Sequence, residues 1–177
     1  MRIIAGRYRG KRLAALDGAS IRPTGARARE ALFNILAHGK FSPRPVCEDA
    51  IVLDAFAGTG ALGLEALSRG ARYATFMEKD RLARAALTAN VESMGVKSAA
   101  SVLPADALKP PRSTAPANLA FLDPPYGEDL TGAALSALAS AGWLAPGCLA
   151  VAEISSRRGF VVPDGSKQEF LLSSNTP

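Results

Sequence analysis

From residue 51 onward, short apolar runs alternate with longer stretches of helical spacing. Ile51-Val52-Leu53-Asp54, Tyr73 to Met77, a segment near Ala100 to Leu103, Leu119 to Leu122 and Leu149 to Ile154 each predict a strand. The intervening segments, about 61–69, 81–94 before Gly95, and 131–141, predict helices. Strands and helices in alternation predict a parallel sheet covered on both faces. Phe160-Val161-Val162 and Glu169 to Leu172 are candidates for a closing pair of strands.

The pattern before residue 50 is different. Arg2 to Leu13 partly alternates apolar with basic residues around Gly6 and Gly10, which suggests a small β-hairpin. After a turn-rich stretch from Asp17 to Ser20, Arg22-Pro23-Thr24 opens a helix of about 25–38, with Thr24 as its cap. Ala28, Ala31, Leu32, Ile35 and Leu36 would form its apolar face, leaving Arg27 and Arg29 for solvent or a ligand. Phe41 to Asp49, with Pro43 and Pro45, reads as a linker, so the expected division is a basic extension (1–45) and a main domain (46–177).

Length and composition narrow this picture. A chain of 177 residues suits one α/β domain with a small appendage. No apolar run approaches the roughly 18–20 residues of a membrane span. The charged start Met1-Arg2-Ile3-Ile4-Ala5-Gly6-Arg7 does not resemble an export signal, so a cytoplasmic protein is expected. Cys47 and Cys148 lie far apart in no metal or disulfide spacing, and His38 has no partner ligand nearby, so no metal site is expected. Charge is uneven: residues 1–50 hold ten Lys/Arg against four Asp/Glu, a surplus of six, so the rest of the chain sums to −1 against a total of +5. Such a basic arm suits a polyanion.

Candidate chemistry lies at the strand ends. Asp54-Ala55-Phe56-Ala57-Gly58-Thr59-Gly60-Ala61-Leu62-Gly63 joins the first strand to its helix, where open α/β sheets bind ligands. It contains GxGxxG, with Glu78 following Gly58 by 20 residues, so a dinucleotide site must be weighed. Three features favour S-adenosylmethionine. Asp54 would repel a pyrophosphate but suit a cationic methionine group. Glu78, ending the second strand, can accept from ribose hydroxyls. Asp106, beside Ala107 after the third, is placed to accept from an adenine amino group. A Walker A loop is excluded, because Gly63 is not followed by Lys and Ser/Thr.

Asp123-Pro124-Pro125-Tyr126 follows the fourth strand. An exocyclic amine on a base is a weak nucleophile because its lone pair is delocalised into the ring. Acceptors aimed at its two N–H groups, here the Asp123 carboxylate and the Pro124 carbonyl, favour a more pyramidal nitrogen. Consecutive prolines stiffen the backbone that aims them. Tyr126 can stack on the base. The residues alone thus point to an amino-group methyltransferase acting on nucleic acid. A DNA adenine-N6 or cytosine-N4 enzyme, a non-catalytic RNA-binding assembly factor and an NAD-dependent oxidoreductase stay open.

Over about residues 1–155 the chain resembles the RsmD family of ribosomal RNA guanine-N2 methyltransferases. The resemblance is carried by Met1 to Gly6, Gly10-Lys11-Arg12-Leu13, Arg22-Pro23-Thr24 with Arg27, Arg29, Glu30, Ala31, Leu32, Phe33 and Asn34, then by Asp54 to Gly60 and Phe121 to Tyr126. It implies a Rossmann-like class I S-adenosylmethionine-dependent methyltransferase sheet behind a small N-terminal β-hairpin and helix. It also implies methylation of guanine 966 of 16S ribosomal RNA in an assembling 30S subunit, by a protein expected to be a monomer. On this reading Arg7, Arg9, Lys11, Arg12, Arg22, Thr24, Arg27 and Arg29 grip RNA, and Asp54, Phe56, Gly58, Thr59, Gly60, Glu78, Asp106 and Ala107 hold the cofactor. Two departures stand out: Asn118 replaces an Asp frequent in relatives, with an effect expected on local packing only, and the segment after about 156 lacks the usual Tyr-Gly…Arg ending.

Overall fold

The computed structural model describes residues 1–15, 23–39, 44–124, 130–154 and 169–174. The elements are α1 (Pro23–His38), β1 (Ile51–Ala55), α2 (Ala61–Ser68), β2 (Tyr73–Met77), α3 (Arg81–Met94), β3 (Ala100–Leu103), β4 (Ala117–Leu122), α4 (Thr131–Ser140), β5 (Leu144–Ile154) and β6 (Glu169–Ser174). The six strands form one sheet in the order β3-β2-β1-β4-β5-β6, with parallel pairing throughout. The order reverses between β1 and β4, and the crevice outside that switch point is where such sheets take ligands.

Period-2 alternation divides the strand side chains between two cores. Val52, Phe76, Leu119, Phe121 and Val151 pack with Phe33 and Leu36 of α1, Leu64 of α2 and Leu87 and Val91 of α3. Leu53, Met77, Ala120, Leu122 and Ala150 turn to the opposite face and pack with Leu135 and Leu138 of α4 and with Trp143. Because both faces are covered, the strands read as nearly continuous apolar runs. α3 begins at the Asp80 cap, whose side chain accepts from the Ala83 N–H, and ends on Gly95 at φ 69°.

Several boundaries and faces differ from expectation. β5 starts at Leu144, five residues earlier than expected, and β4 at Ala117, so Asn118 lies inside β4. There its side-chain oxygen accepts from the Ile51 N–H (2.9 Å), a local bond consistent with a packing role. Of the proposed closing pair, the second strand is present as β6, parallel to β5, and the segment 160–162 lies outside the described residues. α1 starts at Pro23, which suits a first helical position, so the helix begins two residues earlier than expected and Thr24 falls within its first turn. Its buried stripe is Arg29, Phe33 and Leu36 with Leu32 beside them, while Ala28, Ala31 and Ile35 are exposed. Phe33 selects that face by packing on Phe121, with ring centroids 5.7 Å apart, and under the Arg69 guanidinium, 4.8 Å from its ring.

The N-terminal segment is an antiparallel ribbon, with Arg2 bridging Arg12 and Leu13 N–H donating to the Met1 carbonyl (3.0 Å). Ile3 and Leu13 are buried in the same core as β1, β4 and α2, so the extension and the sheet share one hydrophobic interior. The end of α2 clamps the ribbon. The fully buried Glu65 carboxylate accepts from Ile4 N–H (2.8 Å) and Ala5 N–H (3.0 Å), and Ser68 Oγ accepts from Tyr8 N–H (3.0 Å) while donating to the Ala5 carbonyl (2.6 Å). Gly6, at φ 81°, lies so close to the Ser68 carbonyl that any Cβ there would overlap it.

Candidate cofactor and methyl-transfer site

A cleft of about 330 Å3 opens at the carboxyl ends of the strands, walled by Phe56 after β1, Met77 and Glu78 at β2, Asp106 and Ala107 after β3, and Asp123 after β4. Phe56 holds φ 66°, a left-handed conformation costing a β-region residue about 1–3 kcal/mol, and the Ala57 N–H bond to the Met77 carbonyl (2.9 Å) helps to hold the turn. Glu78 ties the loop to β2: its Oε2 accepts from Gly58 N–H (2.8 Å) and its Oε1 from Asp80 N–H (2.8 Å). Gly60 N–H donates to the Ala57 carbonyl (2.7 Å), and a Cβ at Gly60 would overlap Leu87. Beyond Gly58 a Cβ would meet only open space, so the loop presents bare backbone there.

Asp54 has a structural part in the glycine loop. It is buried under the loop, where Oδ2 accepts from Gly63 N–H (2.8 Å), and Gly63 packs so tightly on Asp54 and the Phe76 ring that no Cβ fits. Burial pushes the carboxyl up to about 8, with Asp123 and Glu78 adding to the rise against the Gly63 bond. Buried in this way, Asp54 braces the loop through its bond from Gly63. The charge on the cleft wall comes from Glu78, Asp80, Asp106 and Asp123, opposed by Lys79. Asp106 Oδ1 accepts from Leu108 N–H (3.0 Å) and its Oδ2 lies 3.5 Å from Lys79 Nζ.

This acidic wall fits the cationic sulfonium and ammonium groups of S-adenosylmethionine and disfavours a dinucleotide pyrophosphate. Exposed Asp123 lines the same cleft at the end of β4 with half-buried Pro124 next in the chain, and Pro125 and Tyr126 lie outside the described residues. Among the expected RNA contacts, Arg7, Arg9, Lys11, Arg12 and Arg27 are exposed, and Arg22 lies outside the described residues. Arg29 must be reassigned. It is buried, its guanidinium donating to the Arg2 carbonyl (2.7 Å) and the Met1 sulfur (3.0 Å), and desolvation lowers its pKa. It is a strut between α1 and the ribbon, not a surface cation. Glu65, Ser68 and Asn90, which hold the ribbon and the loop, carry no sequence signature that singles them out.

A sheet with a glycine-bounded, acidic cleft at its switch point and an Asp-Pro strand end beside it defines a class I S-adenosylmethionine-dependent methyltransferase. The family described as "Conserved hypothetical protein 95" matches residues 1–167, and the chain belongs to it, the RsmD family of the resemblance above. Ribosomal RNA small subunit methyltransferase D of Haemophilus influenzae is 37% identical over 168 residues, 93% of this chain and 83% of that protein. Its namesake in Escherichia coli strain K12 is 40% identical over 160 residues, 90% of this chain and 77% of that one. The solved structure of Escherichia coli yhhF superposes with a TM-score of 0.76 at 39% identity, covering 93% of this chain and 86% of that one. Among the described residues no helix is long and apolar enough to cross a membrane, and no group of side chains could hold a metal ion.

Proposed function

We propose that this chain transfers a methyl group from S-adenosylmethionine to the N2 amino group of guanine 966 in 16S ribosomal RNA, within an assembling small subunit. The observation that supports the reading is that Asp123, assigned here to orient the amine, lines the same cleft as Glu78 and Asp106, assigned here to the cofactor. Glu78 and Asp106 would hold the ribose and adenine ends of the cofactor, and the glycine loop its methionine part. The bound cofactor supplies an activated methyl group on a good leaving group, so orientation of the amine is the protein's main task. The Asp123 carboxylate and Pro124 carbonyl accept from the amine N–H groups, and Tyr126 stacks on the base.

The exposed cations of the ribbon, Arg7, Arg9, Lys11 and Arg12, with Arg27 on α1 and the Arg22–Thr24 helix start, grip RNA phosphates. Residues 1–45 are the RNA-gripping part and 46–177 the transfer part, a division of labour within one shared core. The names of the relatives support ribosomal RNA as substrate, and the protein works as a monomer in the cytoplasm, where subunits assemble. Nucleoside mass spectrometry of unmethylated small subunits treated with enzyme and labelled cofactor tests the reading. N2-methylguanosine is expected, and N6-methyladenosine as sole product refutes it.

A further inference from the structure

The ribbon and the glycine loop meet at one side chain. Asn90 of α3 is 1% exposed, and both ends of its amide are engaged. Its Oδ1 accepts from Ala14 N–H (2.7 Å), while Nδ2 donates to the Ala14 carbonyl (3.2 Å) and to the Thr59 carbonyl (2.9 Å). Ala14 thus pairs both backbone groups with one amide, as it would with a neighbouring strand. Thr59 lies between Gly58 and Gly60, and Gly58 donates in turn to Glu78 on the cleft wall. Hydrogen bonds therefore run from the end of the basic ribbon, through Asn90 and the loop, to the cofactor cleft.

We infer that Asn90 is a positioning residue that couples RNA engagement on the ribbon to cofactor binding at the glycine loop. The inference rests on the assignment of the ribbon to RNA made above. A primary amide points a donor at Thr59 only while its plane is fixed, and the two bonds to Ala14 fix it. RNA that holds the ribbon down thereby meets part of the ordering cost of the loop, so the cofactor binds a loop already restrained. Linkage is reciprocal, and bound cofactor steadies the ribbon by the same factor. A residue that only supported α3 would change folding and leave the two affinities independent.

Asn90→Asp keeps an acceptor for Ala14 N–H but turns an oxygen toward the Ala14 and Thr59 carbonyls, and Asn90→Ala removes all three bonds. Equilibrium dialysis with labelled S-adenosylhomocysteine, with and without unmethylated small ribosomal subunits, reads the coupling. The wild type is expected to bind S-adenosylhomocysteine about five- to tenfold more tightly with subunits present, and both variants to bring that ratio close to one. Should the variants not fold by circular dichroism, hydrogen exchange on the wild type decides. S-adenosylhomocysteine alone should then slow exchange in residues 11–15, and subunits alone should slow it in residues 57–61. Wild-type protein that binds subunits through Arg9 and Arg12 yet shows a ratio of one, or folded variants that keep the wild-type ratio, overturns the coupling while sparing the ribbon's RNA role. Likewise, wild-type exchange in each segment unmoved by the other ligand overturns it. Subunit affinity indifferent to Arg9→Ala and Arg12→Ala overturns the RNA assignment and the coupling with it.

Discussion

Replacing Glu65 by alanine should release the N-terminal ribbon from the body of the protein. The Glu65 carboxylate is fully buried and serves three donors: Ile4 N–H, Ala5 N–H and Arg69 Nε, all at 2.8–3.0 Å. Removing one partner of a buried charged network costs about 3–5 kcal/mol, because the remaining donors lose both their acceptor and their access to water. For a chain of this size each kcal/mol moves the thermal midpoint by about 2–4 °C, so a fall of roughly 6–20 °C is expected. Circular dichroism melts measure that fall, and limited trypsinolysis shows where it originates, since Arg7, Arg9, Lys11 and Arg12 place four cleavage sites in the ribbon. Cleavage there should precede cleavage in the sheet. A midpoint within about 3 °C of wild type, with the ribbon cut no faster, would refute the clamp.

Three other perturbations separate charge from scaffold. Asp54 holds its proton more tightly in the folded state, at about 8, than in the unfolded chain, where a carboxyl titrates near 4. Its stabilising contribution is therefore complete below about pH 4 and is lost as pH rises toward about 8. Asp54→Asn keeps an acceptor for Gly63 but cannot ionise, so its melting midpoint should fall less than the wild type's between about pH 5 and 8.5; parallel profiles would contradict the burial argument. Arg9→Ala and Arg12→Ala should each reduce the salt dependence of RNA binding by roughly 0.7–1 in log–log slope and leave the melting midpoint unchanged. Arg29→Ala should do the reverse, and a reduced slope in that variant would return Arg29 to the RNA surface.

The strands were legible because burial on both sides leaves few polar residues inside them, and α3 was legible because Asp80 and Gly95 mark its ends. The face of α1 was not. Of the expected face, Leu32 and Leu36 are covered but Ala28, Ala31 and Ile35 are exposed, and the arginine beside Phe33 argues against the stripe that is buried until Arg2 and Met1 are seen to be partners of Arg29 and Phe121 that of Phe33. Asp54 is legible as a strand-end carboxylate, but its burial is not, because that depends on helix α2 closing over it. Glu65, Ser68 and Asn90 read as ordinary helix polars; their partners on the ribbon stand 60 to 76 residues away in sequence. The left-handed Phe56 has no local signal, since nothing but tertiary context holds a phenylalanine there.

Those separations also set a timetable. A chain leaving the ribosome presents Ile3 to Leu13 well before their partners, since Glu65 and Ser68 emerge some sixty residues later and Asn90 later again. The basic ribbon must therefore wait, undocked, while β1, α2, β2 and α3 are synthesised. Only then can it close over the core, although it is made before the helices that hold it.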